Sequence, residues 1–354
     1  MRLSFQMNCL PLSCINMPVG DFMVRIGETI DNTYVIEENI GSGAGGIVYK
    51  AYHLRLKKNV VIKQIRQELR GKVNERSEVD ILKNLKHMYI PQVYDFIEHE
   101  GDVYTVMEYI SGSSLSDELK KRKRFPQKRV IKWAIQLCEA LSYLHSRSIP
   151  IIHSDIKPAN IMLSADDNIC LIDFNISLLF TDDISAVGFT EGYSPPEQTS
   201  VFNIIDRMSM SKELKSNIDT KTCFMELNSG KLNNNPKKIK SLIDARSDIY
   251  SLGASLYHLI SGERPKNSSS DITELDSYNI KIGHSLKQII NKAMNKNIEY
   301  RYATADEMLC DLNNINKYDY LYEKKLKRKR RIFIFTFIII AIVFIAEICN
   351  ILIQ

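Results

Sequence analysis

Residues 152–160 have the sequence IHSDIKPAN, and residues 171–174 have the sequence LIDF. In the first stretch, Asp155 and Lys157 lie two positions apart, so their side chains point to the same side if the backbone is extended. Taken singly, each of these residues is typical of a solvated surface loop. Their combination with the polar residues that follow predicts a site for a phosphate group.

Asn160 and Asp173 complete this set of polar groups. Their amide and carboxylate oxygens are the hard ligands that Mg²⁺ prefers. Phosphoryl transfer depends mainly on positioning and charge neutralisation, which such groups supply. We therefore predict that Asp155 accepts or orients the proton of an attacking hydroxyl, that Lys157 reaches the γ-phosphate, and that Asn160 and Asp173 bind Mg²⁺.

A glycine-rich turn lies upstream, where residues 41–51 have the sequence GSGAGGIVYKA. Gly41, Gly43 and Gly46 carry no Cβ, so backbone N–H groups can close over phosphates. Dinucleotide-binding folds use a similar glycine run, but a helix follows it at once. Here residues 47–49 favour a continuing strand, which argues against that alternative.

An apolar strand over residues 60–63 ends at Lys63, and Glu78 follows in a segment with helical periodicity. A lysine among apolar neighbours needs a nearby anion. Glu78 is predicted to supply one while Lys63 binds the α- and β-phosphates of ATP. The apolar positions of the predicted helix are Val79, Ile81, Leu82 and Leu85.

Together, these motifs resemble the bacterial membrane-anchored Ser/Thr protein kinases of the Hanks type, from about Ile26 to Tyr318. The resemblance implies an α+β, two-lobed protein-kinase-like fold. It places an N-terminal extension over residues 1–24, a β-rich N-lobe over residues 25–109 and a helical C-lobe over residues 110–318.

The resemblance also assigns residues around the nucleotide. Met107 corresponds to the gatekeeper, and Glu108 to Ile110 correspond to the hinge that hydrogen-bonds adenine. Apolar residues at these positions would be ordinary core in any fold, so they only corroborate the motifs. The residues implied to enclose the base are Ile40, Val48, Val61 and Met162.

Three further residues match structural positions of the family. Glu197, at the end of the activation segment, is expected to form an ion pair with Arg301, and Asp248 is expected to brace the catalytic loop. Thr190 resembles the threonine that contacts the catalytic aspartate and Lys157, which makes it a positioning residue.

Two residues depart from the family pattern. Ser154 replaces the arginine that receives a phosphorylated activation-loop residue, so regulation by another route is expected. Asn175 replaces a glycine, and asparagine is the residue other than glycine that most readily adopts left-handed dihedrals. The hydroxyl residues of the segment are Ser177, Thr181, Ser185, Thr190 and Ser194.

An insertion over residues 199–243 is longer than the family's usual connection and is rich in Lys, Asn and Ser. Such a composition buries little apolar surface and is typical of a disordered loop. The stretch between Pro265 and Leu286 begins with the polar residues 266–270 and is shorter than the family's helix-containing region. We therefore also consider the hypothesis that the insertion partly replaces this region as a docking surface for protein substrates. Unchanged rate and substrate choice after deletion of residues 203–240 would refute it.

The C-terminal region has the pattern of a membrane anchor. A basic juxtamembrane segment over residues 319–331 carries seven positive charges from Lys324 onward, and an apolar run of 22 residues follows over 332–353. As a helix this run is about 33 Å long, enough for a hydrocarbon core of about 30 Å. Glu347 and Asn350 weaken the pattern, and a buried C-terminal helix is the alternative. The positive-inside rule predicts a single-pass cell-membrane protein with its kinase domain in the cytoplasm.

The formal net charge of +5 arises largely from this basic cluster, so no nucleic-acid partner is indicated. A second basic patch over residues 120–124, with Lys128 and Arg129, is typical of a solvated surface but could also face anionic lipids. A homodimer is a further candidate assembly.

Seven cysteines show no metal-ligand spacing and are expected to be reduced and mostly buried. The first 22 residues match neither a strong signal peptide nor a folded element, and Met23 is a candidate start; an N-terminal anchor is the alternative. The cysteines are Cys9, Cys14, Cys138, Cys170, Cys223, Cys310 and Cys349.

The sequence thus predicts a Ser/Thr protein kinase that uses ATP and Mg²⁺, acts on protein substrates and serves in signalling. Lys157 favours Ser/Thr over Tyr by resemblance. A pseudokinase that binds nucleotide as a signalling scaffold is the first alternative, and a small-molecule phosphotransferase is the second. The predicted catalytic residues are Asp155, Lys157, Lys63, Glu78 and Thr190.

Overall fold

The computed structural model describes residues 24–43, 46–65, 82–173, 189–201, 243–266 and 272–353 of the 354-residue chain. They group into two compact units. The first unit contains the described residues up to Ile65 and Asp95–Val106, and the second contains residues 82–94 and those from Met107 onward. Residues 82–94 and 107–109, which we expected in the N-lobe, therefore belong to the second unit.

The first unit is built on a six-stranded sheet in which one face of the central strands is buried. Tyr49 and Ala51 of one strand, and Val60 and Ile62 of the next, alternate with more exposed neighbours, as expected for strands with one face in a core. The strand order is β1-β2-β3-β4-β6-β5. The strands are β1 Thr29–Ile30, β2 Tyr34–Gly43, β3 Gly46–His53, β4 Lys58–Ile65, β5 Val93–His99 and β6 Asp102–Glu108.

The second unit is mainly helical and has a small sheet of order β7-β8-β9. The predicted division into a β-rich N-terminal part and a helical C-terminal part is therefore confirmed. The small sheet consists of β7 Ser113–Ser114, β8 Ile161–Leu163 and β9 Ile169–Leu171. The helices are α1 Leu115–Arg122, α2 Gln127–His145, α3 Ala245–Ser261, α4 His284–Ala293, α5 Ala305–Asn313 and α6 Ile315–Ile353.

Helices α2 and α3 form the centre of the second unit. Trp133, Leu137 and Leu141 of α2 are completely buried, which explains the helical period of apolar residues in this segment. Helix α3 begins after Asp244, whose side chain accepts a hydrogen bond from the backbone N–H of Arg246 at 2.8 Å. Residues from both helices contribute to one continuous core, which supports the segments that carry the site.

The basic patch near α1 is largely paired within the protein. Lys121 and Arg122 both contact Glu118, at 2.8 and 3.1 Å. Lys123 contacts Glu263 at 3.1 Å, and Arg129 contacts Asp167 at 2.5 Å. Local pairing of this kind fits a solvated surface and leaves fewer charges for a lipid surface.

Two of the three cysteines whose side chains the structure describes are buried, in agreement with the expectation of mostly buried thiols. Cys138 and Cys170 are free and buried, whereas Cys310 is free and exposed. Burial raises the pKa of the Cys170 thiol to about 12, so this thiol stays protonated at neutral pH.

The long C-terminal helix α6 starts at the buried residue Ile315 and continues to Ile353. Within the described part of the chain, none of the helices combines the length and the apolar character that a membrane span requires. The membrane helix over residues 332–353 therefore stays a prediction. Other predictions fall outside the described residues, namely those on Glu78, Asn175, Met23 and most of the insertion over 199–243.

Candidate active site

Three polar side chains, those of Lys157, Thr190 and Asn160, contact the Asp155 carboxylate. Its Oδ1 accepts a hydrogen bond from Thr190 Oγ1 at 2.8 Å, and its Oδ2 lies 2.8 Å from Lys157 Nζ. Lys157 Nζ also donates to Thr190 Oγ1 at 3.1 Å. The backbone at Lys157 is extended, with φ −157° and ψ 161°, so residues 155 and 157 share one side as their spacing predicts. The Asp155 side chain keeps 26% of its surface exposed, so an incoming hydroxyl can reach it.

Asn160, a predicted metal ligand, contacts Asp155, the predicted proton acceptor. Its Nδ2 donates to Asp155 Oδ2 at 2.9 Å and to the backbone oxygen of Asp155 at 2.8 Å. Because the amide nitrogen is used in this way, the amide oxygen is the atom of Asn160 left to bind a cation. Asp173 follows β9, and the N–H of Ile172 donates to the backbone oxygen of Asn160 at 2.9 Å. This set of oxygen donors fits Mg²⁺.

Asp173 itself adopts a left-handed backbone conformation with φ 63°. The sequence placed the unusual dihedral two residues later, at Asn175, which the structure does not describe. Non-glycine residues with positive φ are uncommon and are enriched near functional sites. The positive φ therefore marks Asp173 as a residue whose surroundings impose its backbone conformation.

The buried carboxylate of Asp248 braces the catalytic loop, as the resemblance implied. Its Oδ2 accepts the backbone N–H of His153 at 2.8 Å, and its Oδ1 accepts the backbone N–H of Ser154 at 2.8 Å. His145 Nε2 lies 2.8 Å from the same Oδ2. Two backbone donors and one imidazole surround this completely buried carboxylate, which compensates its desolvation.

His153 ties the loop to the segment before Asp173. One ring nitrogen, Nε2, lies 3.1 Å from the backbone oxygen of Ile172, and Nδ1 accepts the backbone N–H of Asp155 at 3.3 Å. This pair of contacts is consistent with a neutral imidazole that carries its proton on Nε2. The loop and the segment that carries Asp173, a predicted metal ligand, are thereby fixed relative to each other.

Ser154 is held in a left-handed conformation with φ 64° and is almost completely buried. Its backbone oxygen accepts a hydrogen bond from Gln198 Nε2 at 2.8 Å. Sequence reasoning did not identify Gln198, because a single glutamine after Glu197 carries no motif that predicts a contact 44 residues away. The one signal in the sequence for this part of the site was Ser154 itself, which replaces the arginine of the family pattern.

The predicted ion pair between Glu197 and Arg301 is present and bidentate. Arg301 Nη1 and Nη2 donate to the two carboxylate oxygens of Glu197 at 2.7 and 2.9 Å. Ser247 Oγ donates to the same carboxylate at 2.8 Å, and the guanidinium lies over the ring of Tyr250. Such a bidentate arrangement fixes geometry as well as charge. It anchors the helical segment over residues 196–201, which carries Gln198.

Thr190 is positioned by the turn that follows it. Its backbone N–H donates to Ser194 Oγ at 2.9 Å. Gly192 within this turn has φ 77°, and a Cβ there would lie 2.4 Å from the backbone oxygen of Pro265, so only glycine fits. Tyr193 is next to Gly192, and its hydroxyl lies 2.5 Å from His258 Nδ1 on α3.

In the first unit, the predicted phosphate-binding turn connects β2 to β3, and Gly43 pairs with Gly46. The strand predicted after the glycines is confirmed. Gly46 has φ 108°, and a Cβ at this residue would lie 2.5 Å from the backbone oxygen of Gln64. Val48 pairs with Lys63 across β3 and β4, so the predicted base and phosphate contacts are neighbours in the sheet. Ile40, Gly41 and Val61 lie on the same three strands.

The predicted hinge lies at the end of β6. Met107 is buried, and the backbone N–H of Glu108 donates to the oxygen of Gln92 at 2.8 Å. Ile110 is half-buried after the strand. Met162 lies on β8, where it pairs with Cys170 of β9 and Ser114 of β7. Their nucleotide-binding roles remain predictions.

Known proteins resemble this chain both in amino-acid sequence and in three-dimensional structure. A family model described as the protein kinase domain matches residues 34–218, more than half of the chain. The chain is 29% identical over 307 residues to the serine/threonine-protein kinase PknB of Mycobacterium tuberculosis, covering 81% of this chain and 43% of PknB. It is 27% identical over 311 residues to a probable serine/threonine-protein kinase of Clostridium acetobutylicum, covering 83% of this chain and 41% of that protein.

The chain thus spans about two fifths of the length of these two relatives. Among solved structures, the kinase domain of PknI from Mycobacterium tuberculosis has a TM-score of 0.58 at 20% identity, covering 82% of this chain and 99% of that one. This last likeness supports the fold alone. By its match to the protein kinase domain, the chain belongs to the protein kinase family.

Proposed function

We propose that this protein is an active Ser/Thr protein kinase that transfers the γ-phosphate of ATP to protein substrates in a signalling role. The observation that carries the proposal is the contact of Asp155 with Lys157, Thr190 and Asn160. The curated relatives named as serine/threonine-protein kinases support the same activity. Lys157 in the catalytic loop agrees with Ser/Thr specificity.

The proposed mechanism follows from these contacts. The Asp155 carboxylate, oriented by Thr190 and Asn160, accepts or orients the proton of the substrate hydroxyl. The Lys157 ammonium lies on the same side and stabilises negative charge that develops on the transferred phosphoryl group. The Thr190 hydroxyl contacts both Asp155 and Lys157, so it fixes the orientation of the two charged groups relative to each other.

Asn160 and Asp173 are the residues that would hold Mg²⁺, through the amide oxygen of Asn160 and the carboxylate of Asp173. Bound Mg²⁺ supplies neutralisation of phosphate charge. In the first unit, Lys63 and the turn at Gly41, Gly43 and Gly46 are proposed to contact the phosphates of ATP. Glu78, the proposed partner of Lys63, lies outside the described residues.

A pseudokinase is the alternative that two sequence departures favour, since Ser154 and Asn175 replace an arginine and a glycine of the family pattern. An inactive kinase is expected to lack a group that touches ATP or magnesium. Here the sequence retains all five such residues, namely Lys63, Glu78, Asp155, Asn160 and Asp173. We therefore infer catalysis and treat nucleotide binding without transfer as the outcome that would overturn it.

The test is transfer of labelled γ-phosphate from ATP with Mg²⁺ to a mixture of Ser- and Thr-containing peptides. The full chain is expected to label the peptides, and Asp155→Asn is expected to lower kcat by about a thousandfold. Asp166→Asn is the matched control, because this exposed residue lies in the turn between β8 and β9. Equal rates for the wild type and Asp155→Asn, or no labelling by any of the three proteins, would contradict the proposal.

We further propose that the protein is anchored in the cell membrane by residues 332–353, with the kinase domain on the cytoplasmic side. Support comes from the apolar run, from the seven positive charges before it and from the continuation of α6 to Ile353. The large apolar side chains of α6 from Ile332 to Ile342 are mostly exposed, which is the surface that a lipid environment would cover.

A further inference from the structure

We propose that Gln198 is a positioning residue that holds the catalytic loop ready for transfer without phosphorylation of the activation segment. This inference rests on the proposed kinase activity. Gln198 is completely buried, and its side-chain nitrogen donates to the backbone oxygen of Ser154 at 2.8 Å. Ser154 directly precedes Asp155, so this bond acts on the backbone that carries the proposed base.

The Ser154 side chain is unsuited to bind the phosphate group of a phosphorylated activation-segment residue. Its residue surface is 2% exposed, and its Oγ has no hydrogen-bond partner within the described part of the chain. An arginine at this position would reach a phosphorylated residue through a charge-assisted hydrogen bond. A short, buried hydroxyl has neither the length nor the charge to replace it. The loop must therefore be held by other contacts.

The backbone of Ser154 needs such contacts. Its φ of 64° lies in the left-handed region, which residues with a Cβ adopt at a cost. A conformation of this kind persists when surrounding groups fix it from more than one direction. Here Asp248 Oδ1 accepts the N–H of Ser154 at 2.8 Å, while Gln198 donates to its carbonyl oxygen. The two hydrogen bonds hold both the backbone N–H and the backbone carbonyl of Ser154.

Gln198 is itself held rigidly enough to perform this role. Residues 196–201 are helical, and the N–H of Thr199 donates to the backbone oxygen of Pro195 at 3.0 Å. The neighbouring residue Glu197 forms the bidentate pair with Arg301, whose side chain is completely buried. This helical segment is thus anchored through Glu197 and contacts the catalytic loop through Gln198.

The consequence for catalysis is geometric. If residue 154 relaxes to a common backbone conformation, the following residue rotates, and Asp155 loses its contacts with Thr190 and Asn160. A misplacement of a catalytic group by about 1 Å is enough to lower the rate strongly. Since ATP contacts would be unaffected, the change should appear in kcat and leave KM for ATP near its original value.

The decisive experiment compares Gln198→Met with Gln136→Met in the full chain. Gln136 is a matched control, because it is a buried glutamine of the same unit whose side chain donates to Asn168 at 2.7 Å and accepts from Ile169 at 3.1 Å. Gln198→Met is expected to lower kcat about tenfold with KM for ATP within twofold. Gln136→Met is expected to lower the temperature of unfolding and to keep kcat within twofold of wild type.

A second measurement replaces Ser177, Thr181 and Ser185 together by alanine in the full chain. Retention of kcat within twofold is expected, because the loop would not depend on a phosphate in this segment. A tenfold loss in the triple variant, or unchanged kcat in folded Gln198→Met, overturns the inference while leaving kinase activity established. The same holds if both glutamine variants lose kcat equally. A wild-type protein that transfers no phosphate overturns the proposed function and this inference together.

Discussion

At the scale of single residues, the site depends on one hydroxyl that joins two opposite charges. Thr190 Oγ1 donates to Asp155 at 2.8 Å and accepts from Lys157 at 3.1 Å. Without this bridge, Asp155 and Lys157 would still attract each other directly, at 2.8 Å between Oδ2 and Nζ. The hydroxyl therefore adds a second, directional contact that sets the orientation of the carboxylate relative to the ammonium group.

The first prediction tests this bridge. Thr190→Ala should lower kcat by about ten- to a hundredfold, because one hydrogen bond to each charged group is lost. Thr190→Ser should stay within about threefold, because it keeps the hydroxyl. Steady-state kinetics on a Ser-containing peptide measure both effects. Serine and alanine variants that are equally slow would show that the methyl group, and not the hydroxyl, is the important part of Thr190.

Some residues of the site could be predicted and others could not. Asp155, Lys157 and Asn160 follow from spacing within one loop, where a short extended segment places neighbours on one side. Gln198 and the positive φ of Asp173 depend on contacts between distant segments. No local pattern encodes such contacts, so the sequence alone did not identify them.

At the scale of elements, apolar patterning predicted a strand on each side of the glycine turn, and the family resemblance predicted the helical character of the second unit. Strand β3 follows Gly46 directly because Ile47, Val48 and Tyr49 favour a strand over a helix. The assignment of residues 82–94 to the second unit was not predicted. Their contacts, such as the 2.8 Å bond from the N–H of Lys86 to the Tyr143 hydroxyl of α2, are tertiary and leave no periodic signal.

His258 of helix α3 is a titratable residue that contacts Tyr193 in the turn after Thr190. Burial, followed by the nearby charge of Arg264, lowers the pKa of His258 below its ordinary value of 6.5. The folded state therefore favours the neutral ring, whose Nδ1 lies 2.5 Å from the Tyr193 hydroxyl. A lowered histidine pKa means that this contribution to stability is present above the ordinary pKa and is lost as the pH falls below it.

The second prediction follows from that sign. Between about pH 7.5 and pH 5.5, the wild type should lose more thermal stability than His258→Gln, because glutamine does not titrate and can still accept a hydrogen bond from Tyr193. Thermal unfolding measured across this range compares the two proteins. Parallel curves for the wild type and His258→Gln would contradict a neutral, stabilising His258.

At the scale of the whole molecule, helix α6 is continuous with the second unit. Asp319 Oδ1 accepts the N–H of Ser285 at 2.8 Å, at the start of α4. Tyr322 stacks on His284 with ring centroids 3.6 Å apart. From Tyr322 to Ile332 a helix rises about 15 Å. If residues 332–353 lie in a bilayer, the second unit is held close to the lipid surface by a helix and not by a flexible linker.

The third prediction concerns this attachment and its rigidity. The full chain should bind vesicles containing anionic lipid, and a chain that ends at Glu323 should not, because it lacks the basic cluster and the apolar run. The full chain should also phosphorylate a peptide tethered to the same vesicles faster than the free peptide. Co-sedimentation and initial rates measure these effects.

The matched control inserts a flexible Gly-Ser segment between Glu323 and Lys324, which keeps the anchor but interrupts the helix. With the insertion, binding to vesicles should persist. The preference for the tethered peptide should fall, because the second unit can then move through a larger volume, which lowers the effective concentration of the tethered peptide around it. Equal preference with and without the insertion would contradict a rigid connection. Equal vesicle binding by the full chain and the chain ending at Glu323 would contradict the anchor itself.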